Sequence, residues 1–275
     1  MRRGEGASDL MWGALGVALL AGGWSWINRA SGPFVLPSLG DTGLALVRII
    51  RSADTLPTVA ATLEHALGGV AIGAGIGFMV GLAGGFARPI GATIAPIATA
   101  ILGVPPIAWV VLALLWFGPG GLGPLFTVAI TAMPIVFAAS LQGVRSRDPQ
   151  LAEMARVFRL PMRSRLFRIM LPELATILAP ALATTFAMAW KVALMAEVLG
   201  DGSGIGGRFA TARAHLDLPE AMAWIVIVVS FVLISDVLLL GRLRRWVGRC
   251  RAPALAQQSR GAASGGGGAM RDKSC

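Results

Sequence analysis

The chain has 275 residues, 55% of them apolar and only 14% charged, with mean hydropathy +0.72. A soluble domain carries about 45–50% apolar and about 25% charged residues, so too little polar surface exists here for a soluble enzyme of this length. The net charge of +10 and the pI near 11.5 would mark a nucleic-acid binder in a soluble chain; in an apolar one the question becomes where the cations lie relative to a bilayer.

Spanning a membrane takes about 20 mostly apolar residues, at about 1.5 Å per residue across about 30 Å. Six stretches qualify, at 10–27, 64–86, 90–117, 122–141, 174–199 and 220–241. The first lacks a small-x-small cleavage site followed by a soluble domain, so it reads as a span and not as a signal peptide. With the N-terminus inside, eighteen of the 24 cations fall in inner segments and five in outer ones, with Lys191 inside a span. That is the positive-inside pattern. The expected fold class is an all-α integral membrane protein of six transmembrane helices with both termini cytoplasmic.

Taken in order, residues 1–35 hold the first span. In the external segment after it, Ser38-Leu39-Gly40-Asp41 has capping-box spacing. Leu39, Gly43, Leu46, Val47 and Ile50 then fall on one helical face, which predicts a helix lying on the outer membrane surface. The second span carries Gly69, Gly73, Gly77, Gly81 and Gly85, every fourth residue. They form a stripe without side chains about 24 Å long. Small residues let helix backbones approach closely where lipid gives no hydrophobic drive, so the stripe either packs on another helix or lines a solute path.

The third span is interrupted by Pro96 and by Val104-Pro105-Pro106, and ends at Gly118-Pro119-Gly120-Gly121. Proline removes a backbone donor, and freed carbonyls inside a membrane must face protein or water. Transporters place such breaks beside their solute path; a kink absorbed by neighbouring helices is the other reading. Pro105, Pro106 and Trp109 are therefore path candidates.

The cytoplasmic segment 143–173 is the most informative stretch. Asp148 can cap a helix with Pro149 at its first position, and Leu151, Met154, Ala155 and Phe158 make its apolar stripe. A second short helix can start at Pro161, with Met162, Leu166, Ile169 and Met170 on one side. Two short amphipathic helices can rest on lipid, fold back on the bundle or insert into a groove of a soluble partner. In the fifth span Trp190, Lys191 and Glu197 are further path candidates, because an intramembrane charge faces the bundle interior or water. Glu197 is expected near the outer end within reach of water. Lys191, deeper, either pairs within the bundle or attracts an anionic solute. Gly202-Ser203-Gly204 reads as an external turn, and residues 248–275 as a basic, disordered cytoplasmic tail.

The run EMARVFRLPMRSRLFRIMLP, Glu153 to Pro172, resembles the "EAA" signature of membrane subunits of bacterial ATP-binding-cassette importers. Glu153, Ala155, Ile169, Leu171 and Pro172 fall at matching positions; Met154 replaces the second residue, and Arg159 stands where the signature has glycine. The similarity covers about 36–247 and is closest to the taurine/nitrate/sulfonate type. Leu36-Pro37-Ser38 is similar to that group's external element. Thr62-Leu63-Glu64-His65 with Gly69 is similar to its approach to the second span, except that His65 replaces an arginine. Val104 to Gly120, Ala189-Trp190, Ala196-Glu197, Gly204-Ile205-Gly206, Asp236 and Arg244-Arg245-Trp246 continue the resemblance in order.

The resemblance implies a type I importer permease core at 36–247 whose loop docks on an ATPase and transmits its closure. The docking residues would be Glu153, Ala155, Phe158, Arg159, Pro161, Ile169, Leu171 and Pro172. It also implies two permease copies, two ATPases holding ATP and Mg, and an external solute-binding protein, in the bacterial inner membrane. The chain itself has no Gly-x-x-x-x-Gly-Lys-Ser/Thr phosphate loop, and no His, Cys and carboxylate set at metal-ligand spacing. It is expected to carry no cofactor and do no covalent chemistry. A secondary carrier or channel is the first rival, and would show an internal repeat between halves. An intramembrane enzyme is the second, and would need a catalytic constellation.

Overall fold

A computed structural model describes residues 5–146, 157–158, 161, 171–200 and 203–235. Nine helices follow one another in these residues: α1 (Glu5–Ser31), α2 (Leu39–Arg51), α3 (Thr55–Phe86), α4 (Arg88–Gly103), α5 (Pro106–Phe117), α6 (Leu122–Arg145), α7 (Leu171–Gly200), α8 (Gly204–Ala214) and α9 (Leu218–Ser235). The basic tail and most of the cytoplasmic segment lie outside the described residues.

By length and composition, α3, α6 and α7 can each cross a membrane. The bent α4–α5 pair could make a fourth crossing, and α9 is a shorter apolar helix. The expected first span lies within α1, which is tied to the connection after it by two side chains. Trp24 Nε1 donates to the Pro37 carbonyl at 2.8 Å, and Asn28 Nδ2 donates to that of Leu36 at 2.6 Å.

Ser38 caps α2 as its spacing predicts, accepting from the Asp41 N–H at 3.0 Å. The expected surface stripe of α2 stays outside the bundle, and a different face is buried. Thr42, Ala45 and Ile49 are its buried positions, packed beside Leu194, Ile205, Ala212 and Trp224, while Leu39, Val47 and Ile50 are exposed. Small Ala45 and the β-branched Ile49 fit against α9, and the bulkier stripe faces outward. The helix is thus docked on the bundle by one face and free on the other.

The second span starts earlier than its apolar run: α3 has 32 residues, about 48 Å at 1.5 Å per residue. Its most extensive contact is with α6, and the glycine stripe is the seam. A Cβ at Gly69 would lie 2.5 Å from Val128 Cβ, and one at Gly81 2.6 Å from the Phe137 carbonyl oxygen. At Gly73 and Gly77 it would run into the carbonyls of Ala129 and Met133, and at Gly85 into Val144. All five stripe glycines therefore face α6, meeting its backbone at Gly73, Gly77 and Gly81 and its valine side chains at Gly69 and Gly85, a close approach that small residues permit.

The third span is not one straight crossing. α4 passes through Pro96 without interruption, contrary to expectation, and the chain then bends by 95° between α4 and α5. The pair Pro105-Pro106 supplies the physical reason, since two consecutive residues lack the N–H that would continue α4. The Val104 N–H closes α4 on Ile101, and the Ala108 N–H opens α5 on Pro105. After α7, the expected glycine-rich turn is followed at once by a helix, α8, with Gly204 at φ +74 making the turn into it.

Candidate functional site

The helix break creates space. A cavity of about 120 Å³ lies against it, lined in part by Ile101, Val104, Pro106, Thr131, Thr185 and Met188. The two threonine hydroxyls are committed to their own helices, Thr131 donating to the Thr127 carbonyl at 2.9 Å and Thr185 to that of Ala181 at 2.8 Å. Leu102 borders both this cavity and a wider cleft of about 460 Å³ between α4 and α6. That cleft is apolar along Ala98, Phe137 and Leu141 and ends at Gln142, Arg145 and Ser146. Arg145 also donates to the Gly84 carbonyl at 3.3 Å, which anchors its guanidinium beside the α3–α4 turn.

The path candidates occupy different surroundings. Pro106 lines the cavity, whereas Pro105 is exposed. Trp109 is half-buried, and its indole N–H is buried without an acceptor among the described residues. Trp190 belongs to the core formed with Ala66, Val70, Val128 and Ala193, and stacks edge-to-face on Phe231 at 5.0 Å. Lys191 points out of that core and is exposed.

Glu197 departs furthest from expectation. It is not within reach of water: its relative exposure is 0%. Its Oε2 accepts from the Thr62 hydroxyl at 3.0 Å and from the Gly206 N–H at 3.0 Å, and its Oε1 pairs with His65 Nδ1 at 2.9 Å. Thr62 Oγ1 in turn accepts from the Ile205 N–H at 2.9 Å. One carboxylate is thereby held by α3 and by the first turn of α8, where free amides and the helix dipole favour a negative charge. An ionised Glu197 requires the proton on His65 Nδ1. Thr62 and His65 were not singled out as its partners by sequence reasoning, since they lie more than 130 residues away. The available signal was chemical: an acid in an apolar span needs donors, and these are the polar groups one span offers to another.

Of the docking residues, Phe158 and Pro161 are exposed, Phe158 at 70%. Leu171 begins α7 and Pro172 follows it; Glu153, Ala155, Arg159 and Ile169 lie outside the described residues. No group of three or more His, Cys, Asp or Glu side chains is placed to hold a metal among the described residues.

Comparison with known proteins adds an independent line. The family described as "Binding-protein-dependent transport system inner membrane component" matches residues 73–250. The chain is 28% identical over 215 residues to a protein of Bacillus subtilis (strain 168) named as an aliphatic sulfonates transport permease, SsuC, covering 77% of this chain and 78% of that one. It is 25% identical over 192 residues to the nitrate import permease protein NrtB of Synechococcus elongatus, covering 70% and 68% respectively. Among solved structures it is similar to a chain from inward-facing conformations of the MetNI methionine ABC transporter. The TM-score is 0.51 at 16% identity, covering 71% of this chain and 93% of that one.

Proposed function

The chain belongs to the family of binding-protein-dependent transport system inner membrane components, and from that premise we propose that two copies of it enclose the path of a small anion. It is the permease subunit of an ATP-binding-cassette importer, a multi-pass inner-membrane protein that works with a separate ATPase and a substrate-binding protein. The pair of copies would be served by two ATPase subunits carrying ATP and Mg, and six spans would set both termini in the cytoplasm.

Coupling runs through 148–163, with Glu153 and its neighbours seated in a cleft of the ATPase. Closure of the ATPase pair pulls on that segment and switches the path from inward-open to outward-open, a rigid-body change between two packed states. The solute passes the cavity at the α4–α5 break and then the α4–α6 cleft toward Arg145. The observation that carries this reading is the 95° break at Pro105-Pro106 with a cavity against it, in a chain of this family. The relatives named for sulfonates and nitrate support an anionic solute, and exposed Lys191 is available to meet it.

The experiment is uptake in vesicles holding the chain with its ATPase and binding protein. Sulfonate or nitrate uptake should require ATP and fall on Glu153→Ala; Lys191→Met should weaken uptake of the anion without loss of ATPase binding. Full ATP-driven uptake after deletion of 148–163 would refute the coupling assignment, and unchanged anion uptake in Lys191→Met would refute the role of that lysine.

A further inference from the structure

We propose that Thr62, His65 and Glu197 form an outer joint that makes α8 move as one body with α3 and α7 during the transport cycle, a proposal that rests on the ATPase-driven reading above. A carboxylate removed from water is costly unless every lone pair it presents meets a donor, and fully buried Glu197 meets donors from α3 and α8 only in their present arrangement. Moving α8 away from α3 and α7 would take a donor from Glu197 and leave the Ile205 and Gly206 amides without their acceptors.

The local sequence is shaped around that acid. Gly204 takes φ +74, where a side chain is strained, and a Cβ there would collide with the Glu197 carboxylate. At Gly206 a Cβ would lie 2.5 Å from the Leu194 carbonyl oxygen and 2.8 Å from Glu197 Cβ. On the other side, a Cβ at Gly121 would lie 2.8 Å from His65 Nε2, so the imidazole also abuts the start of α6. The joint therefore touches α3, α6, α7 and α8 at the end where α3 and α6 begin and α7 finishes.

Position gives the joint its task. α7 begins at Leu171, among the last of the expected docking residues, and runs for 30 residues, about 45 Å. Glu197 lies three residues before its end, and only residues 201–203 separate α7 from α8. Without the joint, the covalent connection alone would set the spacing of α7 and α8 but not their relative orientation. With it, a pull at the loop reaches α8 through α7 and one buried carboxylate.

The test places spin labels at Leu199→Cys and Arg213→Cys, both exposed, with Cys250 and Cys275 changed to serine. The chain is purified with its ATPase partner, and the label-to-label distance distribution is recorded without nucleotide and with vanadate-trapped MgATP. The proposal predicts one narrow distribution that trapping leaves in place. Glu197→Leu and Thr62→Val should widen it at least about twofold in both states, as expected of a locally opened unit, while MgATP hydrolysis continues. His65→Arg, which keeps a basic donor beside Glu197, should keep it narrow. A shift of the parent distribution on trapping would overturn the proposal, as would Glu197→Leu and Thr62→Val distributions as narrow as the parent's. Absence of MgATP hydrolysis in the parent complex counts against the ATPase reading alone, because the nucleotide-free widths still decide the joint.

Discussion

Replacing Gly73 by alanine tests the packing of the glycine seam at its tightest point. The new methyl would lie 2.9 Å from both the carbonyl carbon and the Cα of Ala129, and nearer still to the carbonyl oxygen. Carbon atoms pack at about 3.5–4.0 Å, so α3 and α6 must part by about 1 Å; backbone atoms cannot swing aside as a flexible side chain would. A gap of about 0.5–1 Å forfeits a quarter to a half of the dispersion energy of each contact affected. The Gly69, Gly77 and Gly81 contacts share the same seam and open with it.

Overpacking of this kind costs about 1–3 kcal/mol. Gly75 supplies the control, since it sits on the same helix with nothing within 4 Å of its Cβ position. Alanine brings the same helix-propensity gain at both sites, so the difference between the two variants isolates the packing. At about 2–4 °C per kcal/mol, Gly73→Ala should melt about 2–12 °C below Gly75→Ala. The assay is the temperature at which half of the detergent-purified protein leaves the monodisperse size-exclusion peak. Equal melting of the two variants would refute the argument that the stripe is a contact surface.

Ser38→Ala should cost α2 about 1 kcal/mol of local stability, seen as faster hydrogen exchange at residues 39–42, with the rest of the bundle unchanged. Asp54→Asn removes an exposed pair with Arg208 at 3.4 Å; exposed pairs are worth about 0–1 kcal/mol, so the melting temperature should move by no more than a few degrees, and a larger drop would mean the pair is more than a surface contact. Phe231→Leu removes the edge-to-face contact on Trp190, worth about 0.5–1.5 kcal/mol beyond buried area, and should lower the melting point and shift tryptophan emission.

The seam and the break were legible because each is written locally. Glycine at every fourth position from Gly69 to Gly85 is a stripe whatever the rest of the chain does, and Pro105-Pro106 stops a helix by its own chemistry. The capping of α2 by Ser38 is local in the same sense. Which face of α2 would be buried was not, because Ala45 and Ile49 are selected by the shape of α9, which no property of α2 reveals. The three helices that meet at Glu197 come together only through the fold: Thr62 and His65 precede the acid by more than 130 residues, and the amides that complete its shell belong to α8, hidden behind a glycine-rich turn. His65 stood out in the sequence as the replacement for an arginine, and in the structure it is the ring nitrogen beside the buried acid.

The most direct measurement of the central claim is solute uptake into vesicles reconstituted with this chain, its ATPase and its binding protein, comparing internal ATP with an imposed ion gradient. Uptake should need ATP, the ATPase and the binding protein together, and no gradient should replace them. Uptake by this chain alone, driven by a gradient without the ATPase, would contradict that claim.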